Sequence, residues 1–106
     1  VRGTLWEKYL KKSYEDQGYT VFDEKENLQR FGIKADLLIA KGDEFIEVIN
    51  AKCGSSGTAY PPEKFQPEIE LARKLGIPAY IEFFDVNKGV RIKKQIDVHN
   101  PRTISF

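Results

Sequence analysis

The sequence predicts an α/β fold, a mixed central β-sheet flanked by helices, in a single domain spanning residues 1–106. Three observations carry that reading. An N-terminal segment repeats apolar residues at helical spacing. Several short runs rich in β-branched and aromatic residues are bounded by glycine, proline and asparagine. A second helical segment falls between two of those runs, giving the order helix, three strands, helix, two strands and so a sheet with helices packed on it. A chain of 106 residues supports one core.

Thr4 to Gln17 reads as a helix, because Trp6, Tyr9, Leu10, Ser13 and Tyr14 fall at three- and four-residue steps on one largely apolar stripe. Gly18 fits its C-terminal stop. Tyr19 to Phe22 is a short strand, and the polar stretch Asp23 to Gln29 reads as a loop. Ala35 to Ala40 and Phe45 to Lys52 form a hairpin around a four-residue loop, Lys41 to Glu44. Cys53 to Thr58 is turn-rich. A second helix starts at Glu63 or Glu68 and runs to Lys74, with Pro67 tolerable only in a first turn. Gly76 stops it. Ala79 to Phe84 is a strand, Asn87-Lys88-Gly89 a turn, and Val90 to Lys94 an alternating strand with one apolar and one basic face. Thr103 to Phe106 adds a last short strand.

Composition narrows the function classes. No apolar run approaches the ~18 residues that span a bilayer, and the N-terminus lacks the apolar core of a signal peptide. The chain opens on Val1 rather than Met, which reads as a trimmed domain. One cysteine, Cys53, rules out a disulfide framework and a multi-cysteine zinc site. It reads as a structural thiol rather than a nucleophile paired with His99, the single histidine. Net charge is only +1, but Lys88, Arg91, Lys93, Lys94 and Arg102 face a lone Asp97 near the C-terminus. That local basic edge is suited to phosphates, and equally to a lysine-protected edge strand.

The hairpin carries the chemistry. Each strand holds one carboxylate in an apolar run, Asp36 and Glu47. With Ala40 facing Phe45, Leu38 faces Glu47 and Asp36 faces Ile49. The two acids are then diagonal neighbours on one face, roughly 7–8 Å apart at the backbone. Carboxylates so placed suit a hard cation, Mg²⁺ or Mn²⁺, and a lysine beside its water would serve phosphodiester hydrolysis. In this register Ile49 occupies the place that chemistry gives to a lysine. Lys52 reaches the site only if the strand bulges or ends near Asn50-Ala51.

With these residues in view, the chain resembles the PD-(D/E)xK nuclease superfamily and is most similar in layout to archaeal Holliday-junction resolvases. The resemblance covers nearly the whole chain. Arg2-Gly3-Thr4-Leu5-Trp6-Glu7 resembles the family's N-terminal helix, Gly32 to Ala40 its aspartate strand, and Phe45-Ile46-Glu47-Val48 the strand of the second acid. Phe65 through Gly76-Ile77-Pro78-Ala79-Tyr80 resembles the following helix and strand. The resemblance implies a restriction-endonuclease-like fold with Asp36 and Glu47 as metal ligands and Glu7 as an auxiliary ligand. From the residues alone, Glu7 equally suits a helix pair with Lys11. Lys64 and Gln66 on the second helix and Lys88, Arg91, Lys93 and Lys94 are its expected nucleic-acid contacts. Ile49 departs from the family's Glu-x-Lys, so Lys52 is the replacement lysine.

The expected function is a metal-dependent nuclease, on DNA rather than RNA, either a structure-specific endonuclease or a toxin nuclease domain. A catalytically impaired nucleic-acid-binding or interaction module on the same fold is the alternative, motivated by Ile49. The expected partners are nucleic acid, a second copy of the chain as in junction resolvases, and an inhibitor protein in the toxin case, with no membrane. The site of action is then the cytoplasm, except that excision from a secreted toxin would leave the origin open.

Overall fold

The computed structural model describes residues 3–106. Arg2, in the segment compared with the family's first helix, lies outside the described residues. Helix α1 (Gly3–Asp16) leads into strand β1 (Thr20–Asp23), helix α2 (Glu24–Phe31), and the hairpin β2 (Leu37–Lys41) and β3 (Glu44–Gly54). Strand β4 (Ala59–Tyr60), a 3₁₀ turn (Pro62–Phe65) and helix α3 (Gln66–Leu75) follow, then β5 (Ala79–Asp85), β6 (Val90–Ile96) and β7 (Ile104–Ser105). No helix among the described residues is long and apolar enough to cross a membrane.

Five strands form a mixed sheet in the order β1-β2-β3-β5-β6. Only β3 and β5 pair in parallel, and α3 supplies the crossover that a parallel pair requires. The sheet is covered on both faces, which explains the near-continuous apolar runs of its central strands. Trp6, Leu10 and Tyr14 of α1 pack on Val21, Leu37, Ile39, Ile49 and Ala51. On the other face Phe65, Ile69, Leu71 and Ala72 pack on Leu38, Val48, Ala79, Ile81 and Ile96. Tyr9 leaves the expected stripe: it is 60% exposed and stacks on Trp6 instead. The C-terminal strand β7 pairs with β4 in a separate two-stranded sheet.

Three local features differ from expectation. Asp23 to Gln29 is not a loop. Asp23 accepts from the Glu26 N–H while the Glu26 side chain accepts from the Asp23 N–H, a capping box that starts α2. Asn27 locks the short helix down by donating to the carbonyls of Phe22 and Ala35. The hairpin turn is shorter than four residues, since Lys41 pairs with Glu44 around Gly42 and Asp43, with Gly42 at φ 59°. The third difference matters most. Ala40 pairs with Phe45 as expected, but Ile39 pairs with Glu47, so Ile46 is an extra residue and β3 bulges there. Beyond the bulge every pairing is shifted by one, with Leu37 opposite Ile49.

Candidate metal centre and its surroundings

Continuing that register by one step sets Asp36 opposite Asn50 rather than Ile49. Ile49 is fully buried under α1. Asn50 and Lys52 alternate with Ile49 and Ala51 and so project from the other face. The bulge therefore gives Lys52 the spacing that Ile49 denied: it stands two residues after the residue facing Asp36.

Asp36 ends the α2–β2 connection and is held from two sides. Its Oδ2 accepts the Ala51 N–H at 2.8 Å, and its own N–H donates to Glu68 Oε2 at 2.7 Å. Glu7, in the second turn of α1, brings a carboxylate oxygen within 4.8 Å of one from Asp36. Glu24, the first residue of α2, completes a group whose carboxylate oxygens lie within 4.8 Å of one another. Lys52 acts electrostatically on both Glu7 and Asp36, and its Nζ lies 5.7 Å from the centre of the Tyr60 ring.

This crowding has a protonation signature. Burial, then the charges of Asp36 and Glu24, push Glu7 up to about 7, with Lys52 opposing. Burial also raises Asp36, against the Ala51 N–H and Lys52. Glu68 on α3 is pushed up to about 8 by burial and the Asp36 charge. Three converging carboxylates held at neutral pH need either protons or a cation. The donors are all oxygens, as a hard divalent ion requires. Asn50 adds a buried Oδ1 with no hydrogen-bond partner among the described residues. The residues thus fit such an ion. Glu7, Glu24 and Asp36 line a cleft of about 450 Å³ between α1 and α2, flanked by Lys8, Lys11 and Lys25. Lys11 is drawn toward Asp23 at 3.6 Å and Glu26 at 3.9 Å.

The structure does not bring Glu47 to Asp36, which corrects the expected pair. Glu47 faces Ile39, three residues along β3 from Asn50 and so roughly 10 Å away. The physical cause is the bulge. Glu47 instead accepts from Lys93 Nζ at 2.7 Å, with Tyr14 Oη 3.2 Å from the same oxygen. The expected basic edge is likewise occupied. Arg91 grips Glu82 through two bonds of 2.7 Å, Lys93 holds Glu47, and Lys94 donates to the Ser105 carbonyl. Lys88, Lys64 and Gln66 are exposed, and none of them lines the cleft of the carboxylate group.

Sequence reasoning missed Glu24, Asn50 and Glu68. Asp23 and Glu26 carry capping-box spacing, which would have put Glu24 in a helical first turn. Glu68 falls three residues after Phe65 and four before Ala72, on the buried stripe of α3. Asn50 comes to face Asp36 only through the bulge, which no residue pattern in the hairpin signals.

No family model matches the chain, and no curated protein matches it by sequence. Among solved structures it is similar to Hjc of Archaeoglobus fulgidus, a Holliday junction resolvase from an archaeal hyperthermophile. The match has a TM-score of 0.67 and 15% identity, covering 99% of this chain and 84% of that one. The likeness shows the fold: a mixed five-stranded sheet flanked by helices, the restriction-endonuclease-like α/β fold.

Proposed function

We propose that this chain is a divalent-metal-dependent nuclease that hydrolyses phosphodiester bonds in DNA rather than RNA. One observation carries the reading: Glu7, Glu24 and Asp36 converge to within 4.8 Å in the field of Lys52, on a resolvase-like fold. Asp36 and Glu7 hold Mg²⁺ or Mn²⁺, and Glu24 adds a third carboxylate. A bound ion supplies Lewis-acid polarisation of a phosphoryl oxygen and a lowered pKa for its water. Asp36 is kept in place by the Ala51 N–H, so little reorganisation is needed when substrate arrives. Lys52 orients the attacking water and stabilises charge building on the phosphoryl oxygens. Lys8 and Lys25, along the cleft, neutralise neighbouring phosphates. Glu47 serves as the partner of Lys93 and Tyr14. DNA is favoured because the similar solved structure is a Holliday junction resolvase.

The test is cleavage of plasmid and four-way-junction DNA, with RNA alongside. Asp36→Ala should cut on the order of 10³-fold more slowly in Mg²⁺ or Mn²⁺, and Lys52→Ala on the order of 10²-fold, both keeping the parent's circular dichroism. Undiminished cleavage by Asp36→Ala would falsify the reading. The amide at position 50, facing the aspartate, favours a second reading, a module that binds nucleic acid without cutting it. Salt-sensitive binding with no turnover in either metal selects that one.

A further inference from the structure

Asn50 is 3% exposed, on the strand position that faces Asp36 and two residues before Lys52. Its two amide arms are treated differently. Nδ2 donates to Glu68 Oε1 at 2.8 Å, while the other Glu68 oxygen takes the Asp36 N–H. Oδ1, which must diverge from the arm bound to α3, has no donor among the described residues. Buried polar atoms are nearly always satisfied, so a solitary one beside an acidic cluster calls for a partner that is not a hydrogen-bond donor from the fold. Asn27 also leaves its Oδ1 without a donor, but its amide ties two main-chain carbonyls together and so is explained by the fold.

We propose that Asn50 gives its side-chain carbonyl oxygen to the divalent cation held at Asp36, with Glu68 fixing which end of the amide faces the ion. The inference rests on the metal-dependent reading above. Its chemistry is that of a hard ion taking a neutral carbonyl oxygen alongside carboxylates. Charge explains why an amide suits position 50. Glu7, Glu24 and Asp36 already converge there. A carboxylate at position 50 would add a fourth acid to that group and a second one against buried Glu68. A carbonyl adds a ligand without adding charge.

The experiment is Mn²⁺ binding to the metal-free chain by calorimetry, with thermal melts as the control for folding. Wild type should bind, and Asp36→Ala should lose binding. Asn50→Leu, close in volume and without the oxygen, should bind at least about tenfold more weakly. A second variant exchanges acid and amide, Asn50→Asp with Glu68→Gln, preserving the hydrogen bond and the number of carboxyl groups. It should bind Mn²⁺ at least as tightly as wild type. Wild-type affinity in a folded Asn50→Leu, or a tenfold loss in the exchanged variant, overturns the role of Asn50 and leaves the Asp36 site standing. If wild type takes no Mn²⁺, or Asp36→Ala takes it equally well, the metal-dependent reading falls and this inference with it.

Discussion

Glu82 is fully buried, and its carboxylate survives there because it is fully partnered. Arg91 binds it in bidentate fashion at 2.7 Å through Nε and Nη2, Tyr14 donates from α1, and Lys93 sits opposite it across the β5–β6 pair. Removing one member of such a group leaves a charge stranded in the core, which costs more than the pair contributes. Arg91→Ala should therefore lower unfolding stability by about 3 kcal/mol, the lower end of the range for breaking buried pairs, since Arg91 is itself 33% exposed. Chemical denaturation checks it; a loss under 1 kcal/mol would mean that water replaces the guanidinium. This is where reading residue types misled. Arg91, Lys93 and Lys94 looked like a free cationic edge, because a strand's alternation says which face a side chain takes and not what waits on it. The partners lie 9 and 46 residues away for Arg91 and Lys93, and only Glu82 could have been found by counting back from the Asn87–Gly89 turn.

At the scale of elements, the site depends on how α2 begins. Glu24 joins Glu7 and Asp36 because Asp23 caps the helix and Glu26 returns the bond. The helix spans only Glu24–Phe31 and buries a single residue, Asn27, so the cap carries a large share of its order. Asp23→Ala should cost about 0.5–2 kcal/mol in stability. It should also weaken Mn²⁺ binding although Asp23 belongs to no ligand set. Equal Mn²⁺ affinity in Asp23→Ala would detach Glu24 from the site. The strands were legible because apolar runs bounded by glycine and proline have few other uses, whereas α2 was hidden by its charge. The bulge at Ile46 was illegible for a different reason. Ile46, Glu47 and Val48 satisfy either register equally in polarity, and only packing under α1 decides that Ile39 must sit beside Glu47. One inserted residue moves the partner of Asp36 from Ile49 to Asn50 and so puts Lys52 two residues beyond the position that faces Asp36.

For the whole molecule, the cluster of raised acids fixes how stability responds to pH. Glu7 is pushed up to about 7 and Glu68 to about 8, each from an ordinary 4.5, and Asp36 moves in the same direction. Between 4.5 and those values the folded chain binds more protons than the unfolded one, so folding stability falls as pH rises. Asp23, held low chiefly by the Glu26 N–H, and Asp85, held low chiefly by Ser56, act with the opposite sign, but only below their ordinary 3.8. The metal-free protein should then be most stable between these two windows and lose melting temperature steadily from pH 5 to pH 8 in a chelator. Saturating Mg²⁺ should flatten that decline, because the ion replaces the protons at Glu7 and Asp36 and binds more tightly as they leave. Glu68, which faces Asn50 and the Asp36 main chain, should keep a residual slope near pH 8 even with the ion bound. Melts at four pH values, with and without Mg²⁺, decide the matter. A melting temperature that is flat or rising across this range in chelator would mean that the three carboxylates do not share a buried site.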